Sequence, residues 1–216
     1  MVRQIHPVAA GLSIEKKIRQ SGIRHIAGID EVGRGSVAGP VMACAVIFRP
    51  DYFQAEVRDS KVLNRRKRQE LREVLCREAL SWSVGLATVR EIDYFNIRIA
   101  TFIAMRRALA ALRVKPDITL VDGEALKNTP YASLGVIKGD SKSFSISAAS
   151  IIAKETRDLF MEELDRKYPG YLWYKNKGYG TNEHLLAIYE KGITICHRKT
   201  FLKNIDIFGI NLKTGH

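Results

Sequence analysis

The chain has 216 residues, 46% hydrophobic and 27% charged, a composition that suits a soluble globular protein with one sizeable core. Its 35 Lys and Arg against 23 Asp and Glu leave a net charge of +12, which points towards a polyanionic partner. The longest uncharged run, residues 35–48, is too short for a bilayer span of about 20 residues, and the N-terminus lacks the apolar stretch of a signal peptide. No membrane association is expected, and the expected location is cytoplasmic. Cys44, Cys76 and Cys196 lie far apart, and neither they nor the five histidines show metal-ligand spacing. Reduced thiols and the absence of zinc follow; any metal here should be hard and held by oxygen.

Residues 1–24 form a lead-in, with a short amphipathic helix over Ala9–Gln20. The apolar run His25–Ile29 then leads into two adjacent carboxylates, Asp30 and Glu31. The glycine-rich turn Gly33-Arg34-Gly35 and a second apolar run, Val41–Phe48, follow. This reads as strand, acidic strand end, turn, strand. Neighbouring side chains on a strand point to opposite faces. Asp30 and Glu31 are therefore expected to share a site only where the strand ends or bulges, and the glycines supply that irregularity. Two acids beside exposed backbone N–H groups and a cation suit a divalent metal next to a phosphate. A polar turn between two strands is the plainer alternative. A P-loop is excluded because no Gly-Lys-Ser/Thr follows. The spacing Gly33-x-Gly35-x-x-x-Gly39, with a strand after it, does not fit a dinucleotide fingerprint.

Arg49–Leu63 is loop-like and carries Asp59-Ser60-Lys61. Asn64 is placed to cap a helix to about Ala79 whose first turns hold Arg65, Arg66, Lys67, Arg68 and Arg72, a face that suits either plain solvation or phosphate contact. Trp82–Val89 reads as a third strand and Glu91–Leu112 as one long helix with a broad apolar stripe. Ile118–Val121 and Leu134–Ile137 are short unbroken apolar runs ending in Asp122-Gly123 and Lys138-Gly139-Asp140, the pattern of buried parallel strands. A helix is expected over Ser145–Lys167, stopped by Pro169-Gly170, then an aromatic and basic loop over Tyr171–Thr181, and a helix over Asn182–Lys191. With no repeat or linker in the chain, the expectation is one α/β domain: a mixed sheet with helices on its faces.

Asp30, Glu31, Asp122 and Asp140 thus sit at or just past strand ends, where open α/β sheets bind their ligands. If the first and fourth strands are parallel neighbours, Asp30 and Asp122 lie side by side. Clustered carboxylates repel, and a divalent cation relieves that repulsion. Together with the charge, the glycine turn and the aromatic-basic loop, this implies phosphodiester chemistry. Two ions about 3.5–4 Å apart would then stabilise the attacking and leaving oxygens. No serine sits on a nucleophile elbow.

The chain resembles ribonuclease HII, the bacterial type 2 ribonuclease H. The resemblance is carried by Gly28-Ile29-Asp30-Glu31-Val32-Gly33-Arg34-Gly35, Ala38-Gly39-Pro40, Asp59-Ser60-Lys61 and Asp93 with Asn96-Ile97. It continues through Val121-Asp122-Gly123, Gly139-Asp140, Ser147-Ala148-Ala149-Ser150-Ile151-Ile152-Ala153-Lys154 with Arg157-Asp158, then Lys177-Gly178-Tyr179-Gly180-Thr181 with His184, and His197-Arg198. These keep the family's order over about residues 24–203. The resemblance implies a ribonuclease H-like fold: a central mixed sheet of five strands, with a helical C-terminal region inside a catalytic domain of residues 25–203 and a tail over 204–216. It places the metal ligands and catalytic acids on Asp30, Glu31, Asp122 and Asp140, with Mg²⁺ or Mn²⁺ as cofactor and two ions once substrate is bound. It puts a sensor for the ribose 2′-hydroxyl on Gly33, Arg34 and Gly35, and a tyrosine against the deoxyribose beyond the RNA–DNA junction on Tyr179. Lys61, Lys154 and Ser147 join these as substrate-contact candidates, while His184 and His197 read as structural. The implied substrates are RNA–DNA hybrids and duplex DNA containing single ribonucleotides, cut 5′ of the ribonucleotide to leave a 3′-hydroxyl and a 5′-phosphate. A monomer is expected. Glu124, Asn176 and Ser36-Val37 depart from the commoner Asn, His and Pro-Leu. The competing readings are a non-catalytic nucleic-acid-binding module, which four clustered acids argue against, and another nuclease of this fold such as ribonuclease HIII.

Overall fold

In this computed structural model, residues 10–57, 63–203, 206–207 and 210–211 are described. Five strands form one sheet: β1 (Ile26–Val32), β2 (Val41–Ile47), β3 (Ser81–Ala87), β4 (Ile118–Asp122) and β5 (Ala132–Val136), in the order β3-β2-β1-β4-β5. β1–β2 and β2–β3 are antiparallel, and β1–β4 and β4–β5 are parallel. The mixed sheet expected from the sequence is the one found. The helices are α1 (Ser13–Arg19), α2 (Arg65–Glu78), α3 (Val89–Phe95), α4 (Ile97–Ala111), α5 (Phe144–Lys167), α6 (Trp173–Asn176), α7 (Asn182–Lys191) and α8 (Lys199–Leu202). Two-residue strands β6 (Asp206–Ile207) and β7 (Ile210–Asn211) pair near the end.

β2 shows why its sequence is unbroken apolar. Val41, Ala43, Ala45 and Ile47 pack with α3 and α4 on one face, and Cys44 and Val46 pack with α2 and α5 on the other. β1 alternates likewise. Ala27 and Ile29 face the α4 side, while Gly28 lies against α5, where an added Cβ would stand 2.1 Å from the Ser145 carbonyl carbon. Gly28 therefore sets how closely α5 approaches the strand that carries Asp30. A third cluster joins Met161 of α5 to Val37, Ala38, Tyr171, Trp173, Ile188 and Leu202, so the C-terminal helices pack on the far half of α5.

The helix expected over Glu91–Leu112 is two helices. Asn96 has φ +72° and serves as C-cap of α3 and N-cap of α4, its side chain accepting from Ile99 N. Thr88 and Glu91 form a capping box, which starts α3 at Val89 and ends β3 at Ala87. The lead-in helix is shorter than expected, and the aromatic-basic loop contains the single turn α6, bracketed by the left-handed residues Leu172 and Lys177.

Two fully buried arginines lock the loop after β1. Arg157 of α5 donates to the carbonyls of Pro40 (3.0 Å), Lys177 (2.8 Å) and Ala38 (3.1 Å). Arg198 donates to those of Gly39 (2.9 Å), Arg34 (3.0 Å) and Gly33 (2.7 Å). Burial, and then the nearby Arg157, pull Arg198 down to about 9, so it stays charged at neutral pH. These six carbonyl acceptors satisfy the guanidinium forks in place of a carboxylate partner.

Gly28→Ala forces β1 and α5 apart and should cost at least about 1–3 kcal/mol. Gly11→Ala enters open space and should change stability by less than about 0.5 kcal/mol. Denaturant titration compares the two, and equal midpoints would refute the tight β1–α5 contact. Arg198→Met leaves three carbonyls, two of them buried, without their donor and should cost about 3–5 kcal/mol by the same method. A loss below about 1 kcal/mol would show that the loop does not depend on this guanidinium.

Candidate active site

The site lies at the carboxyl ends of β1 and β4. The parallel register runs Ile26↔Ile118 to Ile29↔Val121, so Asp30 and Asp122 come next on adjacent strands, as the sequence reading required. No bulge brings Asp30 and Glu31 together. The β1–β2 register continues unbroken through Asp30↔Cys44, Glu31↔Ala43 and Val32↔Met42. The two acids leave opposite faces, Asp30 towards α5 and Glu31 towards α4. They meet one cleft because β4 has ended and the sheet no longer separates them. The irregularity comes later, at Gly33, whose φ is +87°.

A cleft of about 250 Å³ is lined by Asp30, Glu31, Gly33, Arg34, Gly35, Asp122, Ser150, Lys154 and Tyr179, among others. Each carboxylate in it has protein partners. Asp30 Oδ1 accepts from Glu31 N (2.8 Å), and Ser150 hydrogen-bonds the same side chain. Glu31 Oε1 accepts from Arg34 Nη1 (3.1 Å). Asp122 Oδ1 accepts from Gly139 N (2.6 Å). Burial raises the Asp30 carboxyl well above the usual carboxylate range, and the charges of Glu31 and Asp122 add to that shift. Burial also raises Glu31, against the opposing pull of Arg34. The cleft thus holds more negative charge than its own cations balance. Among the described residues, no three His, Cys, Asp or Glu side chains are drawn together tightly enough to hold an ion as they stand.

Asp140 is buried on the short turn Gly139–Ser141 that follows β5, one residue after the N–H that holds Asp122. It is not among the residues lining the cleft. Ser147 is fully buried, and its hydroxyl has no hydrogen-bond partner among the described residues. It is Ser150, one turn further along α5, that reaches Asp30, whereas the sequence reading named Ser147 as the candidate. Lys154 lines the cleft and is ion-paired with Asp158. Lys61 lies outside the described residues.

Gly33 is glycine for two reasons visible here. Its φ is positive, and an added Cβ would stand 2.2 Å from Arg157 Nε. Tyr179 sits across the cleft, 39% exposed, with its ring over the Arg157 guanidinium at 5.9 Å. Arg157 is therefore not a free phosphate contact but the support between the glycine turn and Tyr179. Asn176 closes the loop before Tyr179: its Nδ2 donates to Tyr171 O (2.7 Å) and its Oδ1 accepts from Gly178 N (2.8 Å). Tyr171 and Trp173 are buried core, not exposed stacking surfaces.

Four of the five cations at the basic start of α2 are ion-paired. Arg65 pairs with Glu162, Arg66 with Glu70, Lys67 with Glu56 and Arg68 with Glu155. Glu124 makes a two-oxygen contact with Arg98 (2.8 and 2.7 Å) beside a smaller cavity that shares Glu31, Arg34 and Asp122 with the cleft. Asp93 accepts from Lys199 N and Thr200 N, tying α3 to the start of α8.

The family model described as Ribonuclease HII matches residues 27–204. The chain is 50% identical over 184 residues to the ribonuclease HII of Clostridioides difficile, covering 85% of this chain and 72% of that one. It is 45% identical over 192 residues to that of Caldicellulosiruptor bescii, covering 89% and 93%. Among solved structures, the ribonuclease H2 of Pyrococcus horikoshii is similar with a TM-score of 0.68 and 28% identity, over 82% of this chain and 93% of that one. The match runs through both acid-bearing strands, the glycine turn and the Tyr179 loop, and the chain belongs to the ribonuclease HII family of endoribonucleases.

Proposed function

We propose that the protein hydrolyses RNA in RNA–DNA hybrids and cuts duplex DNA on the 5′ side of single embedded ribonucleotides, leaving a 3′-hydroxyl and a 5′-phosphate. The observation that carries this reading is the single cleft in which Asp30, Glu31 and Asp122 stand opposite the Gly33–Gly35 turn and Tyr179. One wall has the chemistry to act on a phosphodiester, and the other has the surfaces to read a sugar.

Divalent Mg²⁺ or Mn²⁺ fits this donor set. The donors are all carboxylate oxygens, which suit hard cations, and the raised Asp30 marks negative charge that a cation would relieve. Asp30, Glu31 and Asp122 would hold it, with Asp140 joining from the Gly139–Ser141 turn. When bound, such ions supply charge stabilisation to the oxygens of an in-line displacement. The chain's own residues do the rest. Ser150 orients Asp30 by its hydrogen bond, and the Gly139 N–H orients Asp122. Arg34 holds Glu31 and sits where a backbone phosphate would pass. At Gly33 and Gly35 no side chain keeps a sugar from the peptide groups, so a 2′-hydroxyl could be read by backbone, which is how RNA is told from DNA at one nucleotide. Tyr179 offers its exposed ring to the next sugar. Binding polyanionic duplex should release counterions and weaken with salt.

Asp30→Asn tests the reading. Cleavage of a labelled RNA–DNA hybrid in Mg²⁺ or Mn²⁺ should fall at least about 100-fold, while duplex binding is kept or tightened. Chelator should abolish cleavage by the parent, and an all-DNA duplex should stay intact. The stability sign is opposite. Folding raises the Asp30 carboxyl, so its ionised form costs stability increasingly as pH rises through the carboxylate range, and Asn removes that cost. The variant should melt about 2–4 °C higher at neutral pH without metal. Unchanged cleavage, or loss of duplex binding together with a lower melting temperature, would contradict this assignment of Asp30.

A further inference from the structure

Behind Tyr179 lies a buried chain of groups that the reaction itself does not use. His184 and His197 are buried beside Trp173, and their hydrogen-bond partners fix every proton. His184 Nδ1 lies 2.9 Å from the Tyr179 carbonyl oxygen, which only accepts, so Nδ1 carries the hydrogen. Trp173 Nε1, which only donates, lies 2.9 Å from His184 Nε2, so that nitrogen is bare. His197 Nδ1 accepts from Thr194 N at 2.9 Å and is bare as well. The 3.2 Å contact between the two Nε2 atoms then has one solution: His197 Nε2–H donates to His184. Burial lowers both imidazoles, and with the neighbouring His184 it takes His197 to about 3, so both are neutral at working pH.

This chain joins the glycine turn to the Tyr179 loop. His197 bridges backbone to backbone with Ala38 and precedes Arg198, which caps the Gly33 and Arg34 carbonyls. His184 holds the carbonyl of Tyr179, which also accepts from Thr181 N. We propose that His184 and His197 are positioning residues that set the distance between the Gly33–Gly35 turn and the Tyr179 ring, and through it the preference for an RNA–DNA junction over a uniform hybrid. The inference rests on the reading of Tyr179 as the contact to the sugar beyond the junction.

The experiment measures kcat/KM on a duplex with one ribonucleotide and on a uniform hybrid, and takes their ratio. Tyr179→Ala is the control for the underlying reading and should lower the ratio. An unchanged ratio in that variant removes the reading and this inference with it. Given a fall there, His184→Phe should lower the ratio roughly tenfold to a hundredfold, the scale expected of a small misplacement. His184→Asn, which keeps a donor at the Nδ1 position, should stay close to the parent. A parental ratio in His184→Phe overturns the relay and leaves the Tyr179 reading intact. Equal losses in Asn and Phe overturn the donor role. Nitrogen-15 NMR of the parent protein needs no variant to fold. It should show His184 as the Nδ1–H tautomer and His197 as Nε2–H at neutral pH, and any other assignment refutes the chain of donors.

Discussion

The site depends on two buried guanidinium groups that, among the described residues, donate to carbonyls and form no ion pair with a carboxylate. A buried cation is costly unless its donors are satisfied, and here six loop carbonyls take that part. Five of the six belong to the stretch Gly33–Pro40, and the sixth to Lys177. The consequence is local rigidity in a segment that is otherwise rich in glycine. A loop whose backbone is to read a substrate must hold its peptide groups still, and glycine alone would leave them loose. The arginines supply the order that the glycines give up.

The same constraint explains why the C-terminal third of the chain belongs to the site. Arg198 comes from the segment before α8, and Lys177 from the loop after α6. Val37 N and Ala38 N donate to Gly178 O, and Gly39 N donates to Cys196 O, so three distant stretches are laced around one turn. The acid cluster is assembled differently, by sheet register. Asp30 and Asp122 are neighbours because β1 and β4 run parallel, and Ser150 reaches Asp30 because Gly28 lets α5 close on β1. The acid cluster and the glycine turn therefore rest on separate devices that meet at Gly33, where the turn packs directly on Arg157.

Much of this was legible in the residues. Short apolar runs ending in acids gave the strand ends, but the Leu134–Ile137 run, read as a buried strand, is half-exposed because β5 lies at the edge of the sheet. What escaped had physical reasons. The positive φ of Asn96 splits a stripe that periodicity reads as one helix, though Thr88-x-x-Glu91 was a visible start signal. Arginine reads as surface by default, so nothing in spacing distinguished buried Arg157 and Arg198 from Arg65 or Arg66. The latter are ion-paired on the surface, Arg65 with the sequence-distant Glu162 and Arg66 with Glu70 one turn along the same helix. Helical spacing placed both Ser147 and Ser150 on one helix but could not say which of them faces Asp30.

Under the proposed function, one cleft both reads a single ribose and directs hydrolysis beside it. The most direct measurement maps the cuts in an end-labelled DNA duplex carrying one ribonucleotide, alongside duplexes with a deoxyribonucleotide or a 2′-O-methyl nucleotide at the same position. The expected result is one metal-dependent cut immediately 5′ of the ribonucleotide and none in the other two. Cutting at several positions, or cutting that survives loss of the 2′-hydroxyl, would contradict it.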